Sequence, residues 1–390
     1  MKLKSIEYSE YKNKPIEWKV EGLEIGDINL IVGVNASGKT RSLLHIYSLS
    51  LLLSRGMRGL VNPPDFYYKV NFEEGKRKIV YELEVSGYKV KKEKLTDRSK
   101  VVLRRGSSEE GMIYAEKLNK EIEFKIPGNQ IAAYMKRDQI QHPFLESLFE
   151  WAVNLRFFRF GSDMGKESQV DSPYLPIKES RSFEEKIELL QLHPNVADTI
   201  EIGMEKYGAQ FKISLFEEMR EIGYHIDAIN IHPLDNGAYS YSTAKNRYVS
   251  IQEKELSTEI EQHNISQGMW RTLSLLAHIN LFIAMKKASC VLIDDIGEGL
   301  DYNRSLSLIK LLIKKARKSK IQLIMTTNDR FVMNSVPLQN WSILHRTGGK
   351  CRIINQRNSK EVFEKFKYTG LDNFDFFSSQ YFMKDLKSSG

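Results

Sequence analysis

The spacing of apolar and polar positions changes character several times along the 390 residues. INLIVGV (28–34) is apolar on both faces, the pattern of a strand buried inside a sheet. Two alternating segments before it, LKSIEYSEY (3–11) and IEWKVEG (16–22), read as strands, and a helix is predicted from Arg41 to about Ser54. Between Phe66 and Phe124 the period is two, broken by glycines and charged turns, so DFYYKVNFEE, KIVYELEVSGYKVKKEKL and MIYAEKLNKEIEFKIP predict an antiparallel meander. QIAAYMKRD (130–138) is expected as a return strand. HPFLESLFEWAVNLRFFRF (142–160) is expected as a helix that runs into a strand.

Residues 161–180 are polar and rich in Gly, Ser and Pro, which predicts a loop. From Ser182 to about Gly223 the apolar spacing is helical, and Ser182 with Glu185 has the Ser-x-x-Glu spacing of a capping box. Alternation returns over 224–260. ISQGMWRTLSLLAHINLFIAMKK (265–287) then predicts a long helix, CVLIDD (290–295) a strand, 302–320 a helix and IQLIMTTND (321–329) a strand. WSILHR (341–346) and CRIINQ (351–356) read as a closing hairpin. No internal repeat or sustained heptad pattern is present. The expected class is α/β: a mixed central sheet with an antiparallel meander and a helical insertion. The expected segments are 1–165, 166–260 (the insertion), 261–357 and an aromatic tail at 358–390. Phe374, Phe376, Phe377, Tyr381 and Phe382 of that tail form a docking patch if exposed and ordinary core if folded back.

Composition narrows the classes. The formal charge of +8 and the pI near 9.1 permit contact with nucleic acid without demanding it. The densest basic stretch, 89–105, is either a solvated hairpin or a contact surface. Two cysteines, Cys290 and Cys351, exclude a disulfide framework and a thiolate metal cluster. The longest apolar runs, 43–53 and 273–284, are too short to span a bilayer. The first residues lack the apolar run of a signal peptide, so a cytoplasmic, reducing location without membrane contact is expected.

Candidate chemistry begins at GVNASGKT (33–40), which has the form G-x-x-x-x-G-K-[ST] between an apolar strand and a helix. Gly33 and Gly38 let the backbone curl so that successive N–H groups face phosphate oxygens. Lys39 sets a point charge on the β- and γ-phosphates, Thr40 offers its hydroxyl to Mg²⁺, and the helix N-terminus adds its partial charge. ATP with Mg²⁺ is the expected ligand. VLIDD supplies the carboxylates that such a loop needs. Asp294 would hold Mg²⁺, and Asp295, a methylene shorter than glutamate, would polarise the attacking water.

Three further stretches carry a family resemblance. NISQGMWRTLSLL (264–276) resembles the L-S-G-G-Q signature of ABC-type ATPases, written here Ile265-Ser266-Gln267-Gly268-Met269. Asn35 gives the loop the G-x-N-x-[SA]-G-K-[ST] form common to ABC, SMC, RecF and OLD-family ATPases. GEGLD (297–301) sits where their D-loop sits, with Asp301 as its aspartate. LIMTTND (323–329) sits at the switch-histidine strand but offers Thr327-Asn328 instead. The chain thus resembles the stand-alone AAA-type ATPases of the OLD/RecF/SMC-like group over roughly 1–60, 128–160 and 262–357.

The resemblance implies a P-loop NTPase with an ABC-type ATPase head. Gly33, Asn35, Ala36, Ser37, Gly38, Lys39, Thr40 and Arg41 would cradle the nucleotide, and Gln139 or Gln141 would be the Q-loop residue. Ser266, Gln267 and Gly268 would meet the γ-phosphate held by a second copy in a head-to-tail homodimer. Asp301 would couple the two sites, and Asp295, Lys39 and Asn328 would serve catalysis. Asp295 in place of Glu and Asn328 in place of His point to slow hydrolysis. The expected role is an ATPase that regulates a separate effector, a nuclease or toxin, in bacterial antiphage defence. The alternatives are a RecF-like ATPase that binds duplex DNA and an ATP-binding scaffold with little hydrolysis.

Overall fold

Ile28–Val32 is buried at every position, and it becomes a strand with parallel neighbours on both sides. The computed structural model describes residues 1–60, 63–166, 182, 186, 190, 195–233, 247–286 and 290–383. The chain opens with β1 (Lys2–Glu10), β2 (Trp18–Glu24) and β3 (Ile28–Val32), then helix α1 (Lys39–Arg55). The meander comprises β4 (Phe66–Glu74), β5 (Arg77–Ser86), β6 (Lys89–Asp97), β7 (Lys100–Arg105), β8 (Glu110–Ala115) and β9 (Lys120–Lys125), each antiparallel to the next. Helices α2 (Ala132–Met135) and α3 (Pro143–Val153) lead to β10 (Leu155–Arg159). Next come α4 (Val196–Tyr207), α5 (Ala209–Ile222), β11 (Ile226–Pro233), β12 (Arg247–Glu253), β13 (Ile260–Glu261) and α6 (Gln267–Ala284). The remainder is β14 (Cys290–Asp294), α7 (Tyr302–Ser319), β15 (Gln322–Thr326), α8 (Arg330–Ser335), β16 (Trp341–Thr347), β17 (Lys350–Asn355), α9 (Lys360–Phe366) and α10 (Asn373–Ser378).

One sheet runs in the order β10-β14-β15-β3-β16-β17-β2-β1-β4-β5-β6-β7-β8-β9, and β11, β12 and β13 form a second. The mixed sheet agrees with the pattern-based expectation. The contacts β14/β15, β15/β3, β3/β16 and β17/β2 are parallel. Val32, Asp294 and Thr326 therefore finish their strands at one carboxyl end, where open α/β sheets bind ligands.

The chain divides into two compact units. One contains Met1–Phe157, Ser289–Asp294 and Lys320–Gly390, and the other Phe158–Ala288 and Asp295–Ser319. In the first unit α1 turns Leu43, Ile46, Leu49 and Leu53 inward, a helical stripe that packs on α3. The aromatic tail folds back in the same unit: Phe376 is fully buried and touches Phe363, Phe366, Tyr381 and Phe382. In the second unit α4, α5 and α6 pack on one another, with α5 also against α7. Glu185 of the expected Ser182–Glu185 capping box lies outside the described residues. Among the described residues no helix is long and apolar enough to cross a membrane.

One local expectation is corrected. Residues 130–138 hold the short helix α2 where a strand was predicted. The cause is tertiary. Fully buried Glu93, on β6, accepts the N–H groups of Ala132 and Ala133 at 2.7 and 2.8 Å, satisfying two donors of a helix start. The Tyr81 hydroxyl also donates to that carboxylate at 3.0 Å, and Arg105 lies 3.4 Å away.

Candidate functional site

In the first unit the loop after β3 has the shape its sequence requires. A Cβ on Gly33 would stand 2.4 Å from Ser37 Oγ and 3.0 Å from the Leu344 carbonyl. Gly38 has φ +102°, and a Cβ there would stand 2.2 Å from the Trp18 ring. Ala36 is also left-handed, at φ +60°. The turned backbone is fixed from outside. Arg346 Nη1 donates to the Ala36 carbonyl at 2.9 Å, and the Cys351 thiol donates to the Ser37 carbonyl at 3.3 Å. Burial pushes that thiol up to about 11, so it keeps the proton it donates.

Lys39, 7 % exposed, bends its ammonium back into the loop, donating to the Gly33 carbonyl at 2.8 Å and the Val34 carbonyl at 3.3 Å. Buried Ser37 Oγ has no hydrogen-bond partner among the described residues. Thr40 Oγ1 donates to Asp294 Oδ1 at 3.1 Å, and Thr326 Oγ1 donates to the same oxygen at 2.6 Å. One carboxylate beside one hydroxyl fits Mg²⁺, which keeps several waters and takes its other oxygens from phosphate. The cradle closed to any Cβ, the inward ammonium and the orphaned hydroxyl fit a polyphosphate.

The other predicted residues of this unit stand as follows. Arg41 forms an ion pair with Glu10 and lies with its guanidinium 4.4 Å from the Trp18 ring centre. Asn35 is exposed, and so is Asn328, just beyond the end of β15, while its neighbour Thr327 is fully buried. Gln139 is exposed. Gln141 is half-buried, with its side-chain oxygen enclosed and without a hydrogen-bond partner among the described residues.

In the second unit Ser266 is the N-cap of α6, its hydroxyl accepting from the Met269 N–H at 3.4 Å. Ser266 is exposed, and Gln267 and Gly268 are half-buried. A Cβ on Gly268 would stand 3.0 Å from both the Gly299 carbonyl and Leu300, so glycine lets the predicted signature turn approach the predicted D-loop. Asp301 Oδ1 accepts from the Arg304 N–H at 3.0 Å, and the Arg304 guanidinium meets Oδ2 at 2.9 Å. The backbone bond first, with the guanidinium beside it, holds the Asp301 carboxyl below the usual range. Asp295 has φ +53°. A Cβ on Gly161 would stand 3.2 Å from Asp295 Cβ and 2.5 Å from a Glu298 oxygen, so the two acids share one turn.

Sequence reading missed four residues. Thr326 directly precedes the pair that was singled out, and its end-of-strand position was the available signal. Trp18 and Arg346 come from elements far apart in the sequence. Arg271 gathers three carbonyls: Nε donates to Ser162 at 2.7 Å, Nη2 to Gly161 at 2.9 Å and Nη1 to Glu298 at 3.0 Å. It thereby ties the predicted signature helix to the turn that carries Asp295 and Glu298.

No protein-family profile matches the chain, and no curated protein does. Solved structures match. An SMC head bound to the C-winged helix domain of ScpA gives a TM-score of 0.52 at 12% identity, over 91% of this chain and 97% of that one. The SMC head domain of Thermotoga maritima gives 0.42 at 14% identity, over 91% and 99%. An Smc head domain with an extended coiled coil, bound to the C-terminal domain of ScpA and derived from Pyrococcus furiosus, gives 0.43 at 13% identity, over 94% and 99%. The first likeness shows the fold: the chain is built like that SMC head.

Proposed function

We propose that this chain is an ABC-type ATPase that binds ATP with Mg²⁺, hydrolyses it slowly and closes head to tail with a second copy around the nucleotide. The observation that carries the reading is the Gly33–Thr40 cradle, with Lys39 turned into it and Thr40 bonded to Asp294. The SMC-head fold supports it. Gly33, Asn35, Ala36, Ser37, Gly38, Lys39, Thr40 and Arg41 bind the nucleotide, and Gln139, exposed, is the Q-loop residue. Thr40 and Asp294 would hold Mg²⁺, which when bound neutralises charge on the β- and γ-phosphates. Asp295 orients the attacking water, and Asn328 hydrogen-bonds the γ-phosphate without titrating.

Ser266, Gln267 and Gly268 meet the nucleotide of the other copy, and Asp301 couples the two sites. Closure is the device through which a separate effector, a nuclease or toxin, is held and released in antiphage defence. That part is supported by the sequence resemblance and by the binding of ScpA to an SMC head of the same fold.

The duplex-DNA reading draws less support. The basic stretch 89–105 is a hairpin in which part of the charge is answered in place: Lys92 and Lys94 both reach Glu82, and Arg104 is bidentate to Glu121.

The test is sedimentation and steady-state turnover with Mg-ATP, using Lys39→Ala as control. ATP-dependent dimerisation is expected in the wild type. It should be lost in Ser266→Arg with nucleotide affinity nearly unchanged. Turnover without any ATP-dependent association, or association that survives Ser266→Arg, would sink the head-to-tail part. An effect of duplex DNA on turnover that fades with salt would favour the DNA reading.

A further inference from the structure

Beside the phosphate loop stand two arginines and a tryptophan that the phosphate chemistry does not require. Trp18 is 2 % exposed and lies against Gly38. The Arg41 guanidinium is 4.4 Å from its ring centre and the Arg346 guanidinium 5.1 Å. Arg346 is exposed, yet its plane is fixed, because Nε donates to the Gly348 carbonyl at 2.7 Å and Nη1 to the Ala36 carbonyl at 2.9 Å. Arg41 is fixed by Glu10, whose carboxylate also accepts from the Tyr8 hydroxyl. An exposed guanidinium held in one plane is a stacking surface whose ordering cost is already met.

Sheet order gives the surface a direction. Asp294 at the end of β14 and Thr326 at the end of β15 lie on one flank of β3, and β16, which carries Arg346, lies on the other. A cation held by Thr40 and Asp294 favours the γ-phosphate end on the first flank. The nucleoside end then leaves over the second, toward β16.

We propose that Arg346, with Arg41 beside it, forms the nucleoside end of the site and that the guanidinium face of Arg346 takes the purine ring. The proposal deepens the ATPase reading and rests on it. Arg346 is here a specificity residue for purine nucleotides, distinct from the loop atoms that bind phosphate.

The experiment is calorimetric titration of the full chain with Mg-ATP and, separately, with Mg-tripolyphosphate, which has the same phosphates and no nucleoside. Wild type should bind both. Because Arg346 also braces the Ala36 carbonyl, Arg346→Ala should weaken both ligands somewhat, but ATP about five- to tenfold more than tripolyphosphate, the size of a partly exposed cation–π stack. Arg346→Lys, which keeps the charge and loses the plane, should resemble Arg346→Ala. Equal loss for both ligands would show that Arg346 only braces Ala36 and would overturn the proposal. So would unchanged ATP affinity, or full recovery in Arg346→Lys. Should Arg346→Ala lose its fold, Arg346→Met carries the same comparison. Wild type that binds neither ligand would overturn the ATPase reading itself, an outcome distinct from these.

Discussion

Thr40 Oγ1 donates to Asp294 Oδ1 across 254 positions of sequence, and Thr326 donates to the same carboxylate oxygen. One buried oxygen thus gathers the start of α1, the end of β14 and the end of β15. The two hydroxyls hold the carboxylate in place before any cation arrives, so orientation at this point costs little on binding. Asp294→Asn keeps the shape and removes the charge. It should leave the affinity for metal-free ATP nearly unchanged and abolish the gain from Mg²⁺. Turnover should fall at least about a hundredfold, roughly 3 kcal/mol of barrier. Calorimetry with and without Mg²⁺ and a phosphate-release assay check it. A variant whose ATP affinity still rises with Mg²⁺ would remove Asp294 from the metal site.

Gly38→Ala meets two obstacles. The left-handed backbone costs a Cβ about 1–2 kcal/mol, and the Trp18 ring lies 2.2 Å from where it would stand. The variant should melt earlier and lose nucleotide binding. Trp18→Ala in the same chain should return the steric part alone, which a double-mutant cycle would read as a favourable coupling above about 0.5 kcal/mol. Strict additivity would mean that the ring moves freely aside.

These two cases show what was legible in the sequence. The cradle could be read from spacing because each position answers a local demand: glycine where φ is positive, lysine and threonine where the helix begins. The same holds for β3, whose five apolar residues admit little besides a buried strand. Trp18 and Arg346 could not be read, since their relation to the loop passes through the order of strands in the sheet. Residues 130–138 fail for a similar reason. Their local alternation suits a strand, but the Glu93 carboxylate, about forty positions upstream, caps Ala132 and Ala133 into a helix. The tail was undecided in the sequence because aromatics at 374–382 suit a patch or a core, and the burial of Phe376 and Phe382 decides for core.

The second unit carries a pH dependence of its own. Burial first pushes the Asp198 carboxyl up to about 6, with Arg247 opposing and the Glu201 charge adding to the rise. Arg247 lies 3.8 Å from Asp198 and 2.7 Å from Glu201. A folded pKa above the unfolded one means that the folded chain binds the proton more tightly. The stability this confers is full below about pH 4 and is lost as pH rises to about 6. The shift of about two pKa units corresponds to roughly 3 kcal/mol at most. Asp198→Asn should therefore flatten stability against pH between about 4 and 6 and be the more stable protein at pH 7. Urea melts at pH 4 and pH 7 check this; a variant less stable than wild type at pH 7 would show that the ion pair with Arg247 outweighs burial.

The shortened acid at 295 has a conformational reason. Asp295 sits at φ +53°, where aspartate and asparagine are tolerated better than longer side chains because their short polar groups bond locally. A glutamate would add a methylene and strain the turn that Arg271 ties to α6. Asp295→Glu should thus cost about 1 kcal/mol in a thermal melt without raising turnover. A glutamate variant with faster turnover and an unchanged melt would show that reach, rather than backbone, sets the rate. Asp295→Asn keeps the backbone and removes the proposed base. It should bind ATP normally, accumulate as an ATP-bound dimer in sedimentation and lose about two to four decades of turnover. Glu298 stands in the same turn, its carboxylate pressed toward Gly161. If Asp295→Asn still turns over, Glu298→Gln should then carry the loss, and the base moves three residues along the turn.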